Sequence, residues 1–254
     1  MPGALRRIGI GIGTDPDKVI ASANRVSGPF ETVCYCSTGV ADKKTAQETV
    51  HFSENAHPEQ ALIDDLVTGK IDAAVRGTLP SNSTLKALKK AMGVDHLERI
   101  ALLETVHGKK FLLTPVGVDE GWTVAEKLEL IKKGRIIAKK FGLPEEVGVL
   151  SGGRLGDVGR HPQVDASMAE AELVARLADA THCEILIEDA IETCGLIIAP
   201  DGISGNLVFR TLTFLGDGYG HGAPVVNISK IFVDTSRASP NYTNALLLAA
   251  SLLE

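Results

Sequence analysis

The chain has 254 residues, enough for one large domain or two small ones with a real core. Apolar residues make up 44% and charged residues 23%, ordinary globular usage that excludes a disordered, collagen-like or repeat-only chain. With 26 Lys and Arg against 32 Asp and Glu, the net charge of −6 repels polyanions, so neither nucleic acid nor an anionic membrane is an expected partner.

The start, Met1 to Arg7, is followed by no apolar stretch of signal-peptide length, because Asp15 and Asp17 interrupt. The apolar stretch from Ala245 to Leu253 is shorter than the ~20 residues that span a bilayer. A soluble, cytoplasmic protein is expected. Cys34, Cys36, Cys183 and Cys194 are too few and too scattered for a disulfide framework. Their spacing with His182 matches no zinc pattern, so buried thiols and no metal are expected.

In chain order, a strand over Arg7–Ile12 leads to a helix through Asp15, Pro16 and Val19, and a second strand covers Thr32–Cys36. A helix from Pro58 with Ala61, Leu62 and Leu66 precedes a strand over Ile71–Val75 and a helix carrying Leu85, Leu88 and Met92. This alternation predicts an α/β protein with a mostly parallel sheet. Ile100–Val106 and Lys110–Val116, parted by His107 and Gly108, predict a hairpin. Thr123 and Glu126 form a capping box for a helix with Val124, Leu128, Ile131, Ala138 and Phe141 on one face, stopped by Gly142 and Pro144.

Val147–Leu150 reads as a buried strand, and a second capping box, Ser167 with Glu170, predicts the start of a helix carrying Leu173 and Leu177. Strands are expected over Glu184–Ile187, Gly195–Ala199 and Ile228–Val233, with a mobile linker over Gly216–Gly222. The last helix is expected to begin at Ser239 and Pro240. No Pro/Gly/Ser-rich tether divides the chain, so residues 1–254 are expected to form a single two-lobed α/β unit whose lobes share chain crossings.

Gly9, Gly11 and Gly13 invite comparison with a cofactor loop, but Thr14 breaks the dinucleotide fingerprint. Alternating with Ile8, Ile10 and Ile12, they fit close packing within a strand better. Four other segments carry more chemistry. In Asp72–Leu85, Thr78, Ser81, Asn82, Ser83 and Thr84 place hydroxyls and an amide at a helix N-terminus, a ready anion site, and Arg76 adds a guanidinium with bidentate phosphate geometry. Plain N-capping by Ser81 or Asn82 is the alternative.

In Leu150–Asp165, Ser151 precedes a glycine-rich loop to which Arg154, Arg160 and His161 bring positive charge. Such loops at strand ends of open α/β sheets take ligands. In Ala199–Gly216, Pro200, Asp201 and Gly202 turn the chain out of a strand, and Ser204, Gly205 and Asn206 open a helix. Last, Ser236 and Arg237 form a candidate oxyanion or phosphate clamp.

Taken in this order, the four segments resemble the phosphate acetyl/butyryltransferase family. They correspond to its DAxVSGA..TT..TL stretch, its LS-rich loop ending in HPxVD, its PDxxSGN helix start and its SR pair before the last helix. The resemblance covers most of the chain beyond about residue 57. It implies the isocitrate/isopropylmalate dehydrogenase-like (phosphotransacetylase-like) fold, a homodimer, and an interlobe cleft for a small anionic ligand, coenzyme A or another phosphate-bearing coenzyme. Arg237 would then grip a phosphate, Ser236 would donate to an oxyanion, and Asn206 with the Gly205 backbone would line the cofactor side.

Over its whole length the sequence resembles a methanogen-specific branch, the methyltransferase-related subunit X group of methanogenesis marker proteins. Two departures stand out. Thr243 occupies the position of the family's aspartate base, a loss of order 100- to 10,000-fold in rate, and Arg76 stands where a small residue is usual. Three readings follow: a phosphotransacetylase-like transferase, a methyltransferase linked to methanogenesis with a possible partner methyltransferase subunit, and a non-catalytic accessory protein that keeps the binding cleft.

Overall fold

The computed structural model describes residues 5–40 and 45–254, so the first four residues of the Met1–Arg7 start lie outside it. Two compact units are present. The first takes the chain up to Leu97 and again from His221 to Glu254, and the second takes Glu98–Gly220.

The first unit starts with β1 (Arg6–Gly11), α1 (Pro16–Asn24), β2 (Phe30–Cys36), β3 (Val50–Glu54), α2 (Pro58–Thr68), β4 (Ala73–Val75) and α3 (Ser81–Met92). The second holds β5 (Ala101–Glu104), β6 (Lys110–Thr114), α4 (Val124–Lys140), β7 (Val147–Val149), α5 (Pro162–Ala178), β8 (Thr181–His182), α6 (Ile187–Thr193), β9 (Leu196–Ile198) and α7 (Gly202–Phe214). At the return lies β10 (Tyr219–Pro224), and β11 (Ile231–Asp234) and α8 (Thr243–Ser251) complete the first unit.

In the first unit β3, β2, β1, β4 and β11 run parallel in that order, and β10 pairs antiparallel with β11. Helices α2 and α3 pack together on one side, while α8 packs against β1, β4 and β11. Buried on both faces, β1 reads as a continuous apolar run. Ile8, Ile10 and Ile12 are essentially unexposed on one face. The opposite face is glycine: a Cβ on Gly9 would stand 2.5 Å from Ile71 Cδ1, and one on Gly11 would stand 2.1 Å from Leu79 Cδ1 and 2.7 Å from the Arg76 carbonyl. Leu62, Ile71 and Leu79 of the core occupy the space that side chains there would need. The glycine repeat is therefore a packing device of the first strand.

In the second unit β6, β9, β7 and β8 are parallel and β5 joins β6 as the expected antiparallel hairpin. Its turn spans Thr105–Lys109, with Gly108 at φ 81°. The α4 capping box is formed: Glu126 N donates to Thr123 Oγ1 at 3.2 Å and Thr123 N donates to Glu126 Oε2 at 3.2 Å, a cap of about 1 kcal/mol.

Several expectations need correction. Helix α5 starts at Pro162 with His161 as its N-cap, five residues before Ser167, because a proline is favoured in a first helical turn. Ser167 Oγ instead accepts from Gly152 N at 2.9 Å. Glu184–Ile187 is no strand. The strand is Thr181–His182, Glu184 turns at φ 55°, and Ile187 opens α6, since a short apolar run fits either period. The glycines of residues 216–222 do not make a linker, because Tyr219–Pro224 pairs as β10. Helix α8 begins at Thr243, and Ser239 closes a turn onto Ser236 O. No strand was expected at β3, which pairs with β2, although Val50, His51, Phe52 and Ser53 alternate apolar and polar.

Candidate functional site

The carboxyl ends of β1, β4 and β11 lie side by side in the first unit, the usual place for ligands in an open parallel sheet. Thr78, fully buried, ties two of the loops: its Oγ1 accepts from Gly13 N at 3.0 Å and Thr14 N at 3.2 Å, while its own N–H donates to Gly11 O at 3.0 Å. The third loop joins through Thr235, whose Oγ1 donates to Gly77 O at 3.0 Å.

Arg76 is spent inside this frame. Its Nε donates to Asp234 Oδ1 at 2.5 Å, its Nη1 to Leu79 O at 2.8 Å and its Nη2 to Thr235 O, and it is 5% exposed. The guanidinium expected to meet a ligand phosphate is thus neutralised by Asp234 and buttresses the loops. The β11 carboxylate was missed in the sequence because 158 residues separate the pair.

Ser236 and Arg237 follow directly. Ser236 Oγ accepts from Ala238 N at 3.2 Å, which leaves the hydroxyl proton available for donation. The Arg237 side chain is exposed, while its carbonyl is held by Lys18 Nζ at 3.2 Å and Tyr242 Oη at 3.3 Å. Tyr242 Oη also donates to Ser236 O at 3.1 Å. Burial pushes the Tyr242 hydroxyl up to about 12, so it remains a protonated donor. The turn is pinned by its backbone, and among the described residues no carboxylate pairs with the Arg237 guanidinium.

At α3 no side chain caps the N-terminus, whose N-cap residue is Pro80. The alternative reading of this segment, N-capping by Ser81 or Asn82, is not made. Asn82 and Ser83 are exposed and Ser81 is half-buried. Thr84 Oγ1 donates back to Pro80 O at 2.7 Å, and Ser83 Oγ stands 3.4 Å from the same oxygen. Thr243, at the first position of α8, donates through Oγ1 to Ser22 O at 3.2 Å.

In the second unit the carboxyl ends of β6, β9 and β7 carry the other expected residues. Asp201 caps α7, accepting from Ser204 N at 2.8 Å. Gly205 lets α7 lie flush on the chain below, because a Cβ there would stand 1.9 Å from Pro115 O. Asn206 Nδ2 donates to Val116 O at 2.9 Å. Both residues therefore shape the helix start itself.

Beyond β7, the Arg160 guanidinium is 2.5 Å from Asp157 Oδ1, and the backbone N–H groups of Arg154 and Gly159 donate to Asp157 and Asp165 at 2.9 Å. Arg154 is exposed and Ser151 is buried. Ser151 Oγ meets two side-chain and backbone partners, His182 Nε2 at 2.9 Å and Gly153 O at 2.9 Å, and Glu172 Oε2 lies 3.3 Å from His182 Nδ1. Nothing in the local sequence pairs these three residues. Cys34 and Cys36 in β2 and Cys194 are buried as expected, whereas Cys183, just past the end of β8, is only half-buried.

Compared with models of known protein families, the chain matches none. It is 44% identical over 254 residues to a protein of Methanosarcina barkeri named "Putative methyltransferase mtx subunit X", which covers 97% of this chain and 93% of that one. It is 23% identical over 208 residues to the phosphate butyryltransferase of Clostridium acetobutylicum, covering 72% and 69% of the two chains. A branched-chain phosphotransacylase structure from Enterococcus faecalis superposes with a TM-score of 0.74 at 17% identity, over 98% of this chain and 99% of that one. An isocitrate dehydrogenase structure from Methylococcus capsulatus superposes with a TM-score of 0.52 at 10% identity, over 98% and 84%. These likenesses bear out the expected phosphotransacetylase-like α/β fold. They also bear out the sequence resemblance to both groups of proteins. No helix among the described residues is long and apolar enough to cross a membrane.

Proposed function

The chain belongs to the mtx subunit X family, and from that premise we propose that it is a phosphotransacylase-like, ligand-binding transferase that holds a phosphate-bearing ligand on its first unit. The ligand class is an acyl phosphate or coenzyme A. One observation carries the proposal: the Ser236–Arg237 turn is pinned through its carbonyls, which leaves the Arg237 guanidinium and the Ser236 hydroxyl proton to face an anion. Arg237 supplies fork-shaped donors for a phosphate, and Ser236 supplies a donor for charge developing on an acyl oxygen.

The uncapped N-terminus of α3 adds backbone donors and a positive dipole end at the neighbouring strand. Arg76 takes no direct part, since Asp234 balances its charge. Thr243 offers a hydroxyl already given to Ser22 O and no carboxylate, so proton removal from a thiol must come from another group. The test is calorimetric titration with coenzyme A, with and without phosphate, on the parent protein and on Arg237→Ala. Binding in the micromolar range that falls at least tenfold in the variant supports the reading; unchanged affinity overturns it.

Methyl transfer is the second reading, favoured by the names of the relatives. Under it the methyl donor binds away from Gly9, Gly11 and Gly13, whose free space is filled by Ile71, Leu62, Leu79 and the Thr78 backbone. Titration with S-adenosylmethionine and with a corrinoid separates the two readings.

A further inference from the structure

The second unit holds a hydrogen-bonded line of three side chains that the binding proposal does not use. Ser151 stands just beyond the carboxyl end of β7, His182 ends β8 beside it, and Glu172 reaches over from the body of α5. The ring of His182 bridges the other two, Nε2 to Ser151 Oγ at 2.9 Å and Nδ1 to Glu172 Oε2 at 3.3 Å. Its side chain is 7% exposed, so water competes weakly for either nitrogen.

The proton count makes this more than a satisfied core histidine. Ser151 has one hydroxyl proton and two acceptors at 2.9 Å, Gly153 O and, when it is unprotonated, His182 Nε2. A carboxylate beside Nδ1 favours a proton on that nitrogen, which leaves Nε2 as the acceptor of the neutral ring. If Nε2 also gains a proton, Ser151 Oγ can accept from it and give its own proton to Gly153 O, while Glu172, half exposed and also paired with Arg176 at 3.2 Å, stands beside the ring through its other oxygen. The same heavy-atom positions serve both protonation states, and a base that takes and returns a proton requires this. Nucleophile, base and orienting carboxylate occur in the order and with the nitrogen assignments of a hydroxyl-based acyl-transfer site, which is recognised by geometry and not by fold.

We propose that Ser151 is an acyl-accepting nucleophile with His182 as its general base and Glu172 as the positioning residue, acting on short-chain acyl esters or thioesters. Ser151 is 2% exposed and its hydroxyl lies against Gly153 O at 2.9 Å, which restricts the acyl group to a small one. In the step, Oγ forms a bond to the acyl carbon, the bond from that carbon to the leaving oxygen or sulfur breaks, the hydroxyl proton passes to His182 Nε2, and from there it goes to the leaving group. Water, activated by the same nitrogen, then releases the acid.

The test uses the whole protein with p-nitrophenyl acetate, read by the p-nitrophenolate burst and by mass spectrometry of the acetylated peptide. One acetyl group on Ser151, absent in Ser151→Ala and formed about 100- to 10,000-fold more slowly in His182→Gln, is the expected result. Circular dichroism of each variant guards against misfolding. Glu172→Gln, which keeps the side chain's size and removes its charge, is expected to lower the rate of acetylation with the KM for p-nitrophenyl acetate unchanged, a split that a purely structural role does not produce. Acetylation elsewhere, or none above the Ser151→Ala background in folded protein, overturns the proposal. The probe carries no phosphate, so this failure is separate from failure of the Arg237 site.

Discussion

Arg76 and Asp234 meet as a buried ion pair, Nε to Oδ1 at 2.5 Å, with side chains 6% and 11% exposed. Their pairing joins the end of β4 to the end of β11 and, through Arg76 Nη1 and Nη2, also ties down Leu79 O and Thr235 O. Removing one partner strands a charge where water cannot reach it. Asp234→Ala is therefore expected to cost about 3–5 kcal/mol, and Arg76→Met with Asp234→Leu together less than Asp234→Ala alone. Urea unfolding of the three variants checks this; a double variant as unstable as the single would contradict it.

Gly11 bears on how the first strand is read. Alanine there must displace Leu79 and the Arg76 carbonyl, so Gly11→Ala is expected to destabilise by about 1–3 kcal/mol or more, as overpacking of a filled core does. Thermal unfolding measures it. A neutral outcome would mean that the glycine face has room for a ligand.

Glu120 is 2% exposed and sits under the start of α7, accepting from Arg99 Nε at 2.6 Å and Gly117 N at 3.1 Å. Burial raises its carboxyl above the ordinary range, and Arg99 with the two backbone donors pulls the other way without fully compensating. A raised carboxyl holds its proton longer folded than unfolded, so its contribution is full below the unfolded value and is lost as pH rises through the folded one. Stability of the parent relative to Glu120→Gln is expected to decline as pH rises above the ordinary glutamate value. Denaturation curves across that window check the slope, and an opposite slope would refute it.

The thiols are expected to be slow. Burial pushes Cys34 up to about 12 and Cys183 up to about 11, with the neighbouring Cys36 and Cys194 adding to each. At pH 8 only about 0.1% of Cys183 is thiolate, so alkylation by iodoacetamide is expected to lag a free thiol by orders of magnitude in folded protein. Rapid labelling of Cys183 in peptide mapping would count against the packing described.

Local signals in the sequence were enough for the alternation of strands and helices, the Thr123 capping box and the packing role of Gly9, Gly11 and Gly13. Element starts set by a turn were harder to place. Pro162 outranked Ser167, and Pro240 lies in the turn that precedes α8. Of the candidate site, residue types at strand ends were legible, but their partners were not, because a single sequence does not display distant contacts. Arg76 reads as a free cation until Asp234, 158 residues on, is placed beside it. Ser151 reads as a loop hydroxyl until His182, 31 residues away, arrives on the next strand.

Whether the pinned Ser236–Arg237 turn binds a phosphate-bearing ligand is decided by calorimetry with coenzyme A on the parent and Arg237→Ala proteins. Micromolar binding by the parent and at least a tenfold loss in the variant are expected. Equal affinity in the two proteins, or no binding by the folded parent with or without phosphate, would contradict that reading.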